Sequence, residues 1–215
     1  PPPTLTHPPP PPNYTRVGSS AASDVYKRQV EKILLSDNWY TLNKVVFDYQ
    51  NIDGSWSSQA RESYDRGNGA TVLLYNREKQ TVILIRQFRM PSYLNGNSDG
   101  LLIETCAGLL DGDDPETCVL KEAEEESGIR PRKAEKVFES YMSPGAVTEI
   151  IHFYVAEYTD ADRVGPGGGL DSEQEDIEVL EVPFEKALEM VSDGTIRDAK
   201  TIMLLQYAKL QGLLG

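Results

Sequence analysis

Cysteine and histidine are almost missing from this 215-residue chain, with two of each. Cys106 and Cys118 are too few for a disulfide framework and lack CxxC metal spacing, so both read as small buried hydrophobes in a reducing compartment. His7 lies in a proline tract, and His152 falls on an alternating strand pattern where a structural role is expected. Chemistry in this chain must therefore rest largely on carboxylates. Cations are also short: 21 Lys and Arg against 34 Asp and Glu leave a net charge of -13. Such a chain is repelled by phosphate backbones and anionic lipid surfaces, so neither a nucleic acid nor a membrane is expected as a partner. No apolar run approaches the roughly 20 residues of a membrane span, and no signal-type segment precedes the acidic body. A soluble, cytoplasmic protein is expected.

Eight of the 14 prolines fall in residues 1–12, and the stretch to Gln29 is Ser/Ala-rich without apolar periodicity. Residues 1–29 are expected to be a disordered or non-native leader outside the fold, with a polyproline ligand as the rival reading. Residues 30–215 are expected to form one domain, of which 30–66 is a β arm. Within that arm Trp39 to Phe47 leads into the hairpin turn Asn51-Ile52-Asp53-Gly54, and the return run ends near Tyr64. Two β-branched runs, Ala70–Tyr75 and Thr81–Phe88, read as central strands. A polar loop over 92–100 precedes a short strand, Leu101–Thr105. The spacing predicts a helix over Pro115–Ser127, capped by Asp113 or Asp114 and ended by Gly128. Strands are expected near 135–141, 150–158 and 177–182, and helices over 183–192 and 198–210. This order implies a mixed sheet with helices packed on its faces.

Glu122, Glu125 and Glu126 stand at i, i+3 and i+4 of the central helix, on one stripe, with Val119 and Ala123 expected to point elsewhere. Like charges at that spacing repel, and the last helical turns disfavour anions further. Lys121 is one compensating partner. A divalent cation held by carboxylate oxygens is the stronger one, because hard ions take several anionic oxygens and leave positions for phosphate. A solvated acidic face is the plain alternative.

Ala107-Gly108-Leu109-Leu110-Asp111 leads into this helix, which continues Lys121-Glu122-Ala123-Glu124-Glu125-Glu126-Ser127-Gly128-Ile129. Together these segments resemble the signature box of the Nudix hydrolases. Lys121 stands where that family usually has Arg, Asp114 where it has Glu, and the stretch between them is one residue shorter than the usual pattern. The resemblance extends over roughly 30–210. Tyr64-Asp65-Arg66-Gly67-Asn68-Gly69-Ala70, Arg86-Gln87-Phe88-Arg89, Ser143-Pro144-Gly145 and Ile196-Arg197-Asp198-Ala199-Lys200-Thr201 are similar to the bacterial GDP-mannose hydrolase branch, while ADP-sugar hydrolases share some of these segments.

The resemblance implies a Nudix α/β/α sandwich, a mixed β-sheet with helices on both faces, plus an N-terminal β-hairpin arm that joins a homodimer. It implies Mg²⁺, with Mn²⁺ as a substitute, bound by the main-chain carbonyl of Ala107 and the carboxylates of Glu122, Glu126 and Glu175, with Glu125 nearby. Arg89 would meet the diphosphate, and Ala107, Gly108, Leu109 and Lys200 would contact substrate. Trp39, Arg61 and Glu62 resemble positions that contact nucleotide across the dimer. The plainer readings make Arg61 a surface residue, Trp39 core and Lys200 a solvated helix residue. Glu149 and Glu175 resemble functional carboxylates able to accept a proton from water, and the assignment of Glu175 can slip to Glu173. Glycines 165 and 167–169 suggest a lid, or else an ordinary solvated loop. The implied activity is cleavage of the pyrophosphate of GDP-mannose to GMP and mannose 1-phosphate. The alternatives are an ADP-ribose or ADP-sugar pyrophosphatase and a silent nucleotide-binding module of the same fold.

Overall fold

A computed structural model describes residues 27–170 and 175–215. The leader to residue 26 and the candidate Glu173 lie outside the described residues. The chain divides into two units, one combining residues up to Lys32 with Val45–Ala60, the other combining Ile33–Lys44 with Arg61–Gly215.

Three long strands, β1 (Lys27–Asp37), β2 (Thr41–Gln50) and β3 (Trp56–Asp65), form a three-stranded sheet in the order β1-β2-β3. β1 takes in Lys27–Gln29, three residues that composition groups with the leader. The β2–β3 turn closes where the sequence places it. Asn51 N–H donates to Ser55 O at 2.7 Å, Gly54 N–H donates to Asn51 O at 2.9 Å, and Gly54 takes a φ of +85°, which a side chain would resist.

In the larger unit a seven-stranded mixed sheet runs β10-β5-β4-β9-β8, with β6 on β5 and β7 on β4. Its centre is β4 (Gly69–Asn76), buried along its whole length, flanked by β5 (Thr81–Phe88) antiparallel and β9 (Ile150–Glu157) parallel. A strand buried on both faces explains the continuous apolar run Ala70–Tyr75. β8 (Glu135–Tyr141) and β10 (Glu178–Pro183) form the edges.

Period-two alternation sorts these strands onto two cores. Ala70, Val72, Leu74, Ile83, Ile85, Tyr154 and Ala156 face Cys118, Val119 and Ala123 of helix α2 (Pro115–Ser127). Leu73, Tyr75, Val82, Leu84, Phe153 and Val155 face Phe184 and Ala187 of α3 (Phe184–Ser192) and Leu204, Leu205 and Ala208 of α4 (Ala199–Leu210). The result is the helix–sheet–helix sandwich the resemblance implies. Among the described residues no helix is long and apolar enough to cross a membrane.

Two local features depart from the expected order. The polar loop after β5 begins with a short helix, α1 (Met90–Leu94), before it turns at Asn95–Gly100. The expected strand Leu101–Thr105 is β6 (Leu101–Glu104) on β5, and a further strand, β7 (Cys106–Leu109), follows it on β4. The switch occurs at Thr105, whose N–H leaves the ladder and donates to the Thr201 hydroxyl of α4 at 2.8 Å. Thr71 continues this buried chain, 2.8 Å from the Thr105 hydroxyl and donating to Cys106 O at 3.0 Å. Hydroxyls thus tie three elements together where no water reaches.

Candidate active site

Helix α2 starts and stops as its sequence dictates. Asp114 accepts from the N–H groups of Glu116 and Thr117, both at 3.1 Å, Pro115 occupies the first turn, and Gly128 ends the helix at a φ of +72°. The Asp that departs from the family's usual Glu is therefore the N-cap, and its hydrogen bonds with Thr117 hold its carboxyl below the usual range.

The carboxylate stripe is not the separate face that the spacing suggests. Glu126 lies three residues beyond Ala123 and seven beyond Val119, and all three are buried. Only 1% of Glu126 is exposed, and its Oε2 accepts the Ala107 N–H at 3.0 Å. Burial pushes its carboxyl well up, the charge of Glu122 adds to this, and Glu175 adds more, while the Ala107 N–H and Arg89 oppose it. Lys121 lies 3.7 Å from Glu125, and Arg130 pairs with Glu124 through bonds of 2.6 and 2.5 Å.

Gly108 is required by close approach, since a Cβ there would overlap the Glu122 carboxylate. The glycines after β9 also serve packing. Gly168 and Gly169 N–H groups cap the carbonyls of Glu126 and Glu125 at 2.9 and 3.1 Å, and a Cβ at Gly167 would strike the backbone of Glu126 and Ser127. This segment then brings in Glu175, whose carboxylate accepts the Leu170 N–H at 3.2 Å.

Beside the carboxylates stands a cluster of opposite charge. Arg89, the N-cap residue of α1, forms paired hydrogen bonds with Glu104 of β6. Lys200, in the first turn of α4, lies 3.5 Å from Glu104 Oε2 and 2.7 Å from Asp198 Oδ1. Burial works against the charge of both cations, but Glu104 holds each above its ordinary range. Glu104 itself is 1% exposed. Sequence reasoning singled out Arg89 and Lys200 but not Glu104, although a lone carboxylate in Leu101-Leu102-Ile103-Glu104 signals a buried charge in need of cationic partners.

Glu149 is placed by a different contact, beside Arg66 at 3.4 Å. Trp39 is not core within the chain, being 85% exposed with its ring edge against Tyr40. Arg61 and Glu62 are exposed on β3. His152 lies 3.2 Å from the Glu139 carboxylate of the neighbouring strand, in keeping with a structural role.

Among the described residues no three His, Cys, Asp or Glu side chains close into a ready-made cation cage. The donor chemistry nevertheless fits a hard divalent ion: Glu126 is a buried carboxylate that feels the like charges of Glu122 and Glu175, and all three present oxygen only.

Comparison with known proteins agrees with this arrangement. Residues 28–64 match the family model described as the GDP-mannose pyrophosphatase NudK N-terminal domain, and residues 65–205 match the NUDIX domain. Proteins named GDP-mannose pyrophosphatase from Klebsiella pneumoniae subsp. pneumoniae and Enterobacter sp. are 58% and 57% identical, each over 85% of this chain and over 91% and 94% of their own lengths. One of that name from Escherichia coli is 56% identical over 86% of this chain and 96% of its own. Nudix hydrolases generally use divalent metal ions. With a NUDIX match from the end of the arm to the last helix, and with the box carboxylates on the helix that packs against one face of the sheet, the chain belongs to the Nudix family of pyrophosphohydrolases.

Proposed function

We propose that this chain hydrolyses the pyrophosphate of GDP-mannose, giving GMP and mannose 1-phosphate, with Mg²⁺ as the working ion and Mn²⁺ as a substitute. One observation carries the substrate choice: the arm and the body both match relatives named for that reaction, across more than nine-tenths of their lengths. The reading includes a cytoplasmic homodimer joined through the arm. Exposed Ile33, Leu34 and Leu35 of β1 support this, because so much apolar surface on one strand is best covered by a second copy.

Glu122, Glu126, Glu175 and the Ala107 carbonyl would hold the ion, with Glu125 beside them. When bound, a divalent cation neutralises the diphosphate and acidifies a water. Arg89 carries a fixed positive charge toward the bridging phosphates, set in orientation by Glu104. Gly108 and Leu109 offer main-chain contacts, and Lys200 meets the far end of the substrate. Trp39 stacks on the guanine, with Arg61 and Glu62 as nucleotide contacts. Glu149 accepts the proton as a water oxygen bonds to phosphorus and the bridging P–O bond breaks. The bridging oxygen leaves on the departing phosphate.

Turnover of GDP-mannose, GDP-glucose, ADP-ribose and ADP-glucose at matched concentration tests the substrate. GDP-mannose turned over fastest, and only with metal present, is the expected result. A clear preference for ADP-ribose would replace the substrate and keep the family chemistry, and failure of all four would favour a silent binding module.

A further inference from the structure

We infer that Arg66 is a positioning residue: stacked on Tyr40, its guanidinium holds the Glu149 carboxylate in place for proton transfer. The inference rests on the assignment of Glu149 as proton acceptor proposed above.

Backbone register sets the pair opposite each other. Tyr64 N–H donates to Ala146 O at 2.7 Å, Thr148 N–H donates to Tyr64 O at 3.0 Å, and Tyr64 bridges Val147 in parallel. The Thr148 hydroxyl adds a bond to Asp65 Oδ1 at 3.1 Å. On the far side of Glu149, the Ile150 N–H donates to the Asn68 side chain at 3.0 Å. Segments 64–68 and 146–150 are therefore stitched together on both sides of Arg66 and Glu149, so the two side chains face one another without either loop having to move.

Side-chain geometry completes the case. Arg66 Nε lies 3.4 Å from Glu149 Oε1, and that nitrogen is shielded from solvent with no hydrogen-bond acceptor in good geometry. A buried guanidinium N–H with a carboxylate as its nearest anion is a donor poised to tighten, as catalytic contacts do once substrate is bound. The guanidinium carbon stands 5.4 Å from the Tyr40 ring centroid, and Tyr40 is braced edge-on by Tyr64 at 5.9 Å. This cation–π contact anchors the guanidinium over the ring, and a lysine ammonium would lack its planar fork. Glu149 is 8% exposed, and an enclosed carboxylate gains from a protein partner.

The test is a kinetic cycle of Arg66→Ala, Glu149→Gln and the double variant, together with Arg66→Lys, using GDP-mannose and Mg²⁺. Arg66→Ala is expected to lower kcat by about tenfold with KM changed less than about twofold, the signature of a misplaced acceptor rather than lost binding. Arg66→Lys should recover part of that loss. In the Glu149→Gln background, Arg66→Ala should cost nothing further. Equal losses in both backgrounds, with an equal fall in thermal midpoint, would mean that Arg66 only braces the fold and would overturn the inference. If Glu149→Gln alone kept the parental rate, the assignment of Glu149 itself would fail, and the role of Arg66 with it.

Discussion

Glu104 receives Arg89 through two parallel hydrogen bonds, Nε to Oε1 at 2.8 Å and the terminal nitrogen to Oε2 at 3.0 Å. Glu104 stands opposite Ile85 in the antiparallel β5–β6 ladder, and Arg89, directly beyond the end of β5 and hydrogen-bonded through its N–H to Gly100, reaches back along β6 to meet it. Lys200 approaches the same carboxylate from α4, so one buried anion orients two cations from distant parts of the chain.

Glu104→Gln keeps the volume but removes the charge that the fork recognises. It is expected to lower kcat/KM for GDP-mannose by on the order of ten- to a hundredfold, because a bidentate, charge-assisted contact is lost and Arg89 is freed to wander. Steady-state kinetics check this. A variant with parental kinetics would show that Arg89 needs no such anchor.

Gly108→Ala isolates the contact between β7 and the carboxylate helix. The new Cβ would displace the Glu122 side chain, so the rate with Mg²⁺ should fall by on the order of a hundredfold. The displaced group is the tip of a flexible side chain, so the urea midpoint should move little. Activity and denaturation measured on the same preparation separate the two effects, and a fall in stability without a fall in rate would be the wrong sign.

Much of this arrangement is legible in the residues themselves, and the remainder has identifiable physical causes. Asp114, Pro115 and Gly128 mark the limits of α2 because capping is local chemistry. The alternation in Thr81–Phe88 and Ile150–Glu157 places those strands on two cores for the same reason. The break at Thr105 carries no local signal, since it depends on Thr201, 96 residues later. Helix α1 is also hidden, because five residues between Arg89 and Asn95 give no period to read. Glu126 looked like one member of an exposed stripe, and only the sheet packed against Ala123 and Val119 shows it to be buried. Glycines 165 and 167–169 suggest a lid or a solvated loop by composition, and what composition does not tell is that the Gly168 and Gly169 N–H groups and the missing Cβ of Gly167 serve the end of α2.

The threonine chain gives a prediction about stability. Thr201→Val keeps the shape but leaves the buried Thr105 N–H without its acceptor, and Asp198 loses the Thr201 hydroxyl. A loss of about 1–3 kcal/mol is expected from a buried donor left unmade. Urea denaturation measures it, and a change below about 0.5 kcal/mol would show that another acceptor takes over.

Thiol chemistry supplies a pH prediction. Burial, followed by the charge of Glu122, raises Cys118 from 9.0 to about 12, and burial raises Cys106 well above its usual range. Burial likewise lifts Tyr158 from 10.0 to about 12. In the unfolded chain these groups lose their protons at their ordinary values, while the folded state keeps them protonated. Their contribution to stability is therefore complete below about pH 9 and is lost as pH rises toward about 12. The urea midpoint should fall between pH 8 and pH 10.5, and alkylation of either thiol at pH 8 should be slow until denaturant is added. Rapid native-state alkylation would contradict the burial of both cysteines.

The most direct test of the central claim is to follow GDP-mannose by phosphorus NMR in the presence of the protein, with Mg²⁺ and then with excess chelator. With Mg²⁺ the paired diphosphate signals should give way to two phosphomonoester signals, those of GMP and mannose 1-phosphate, and with chelator they should persist. A diphosphate that survives as GDP while mannose is released, or cleavage that continues without metal, would contradict the account.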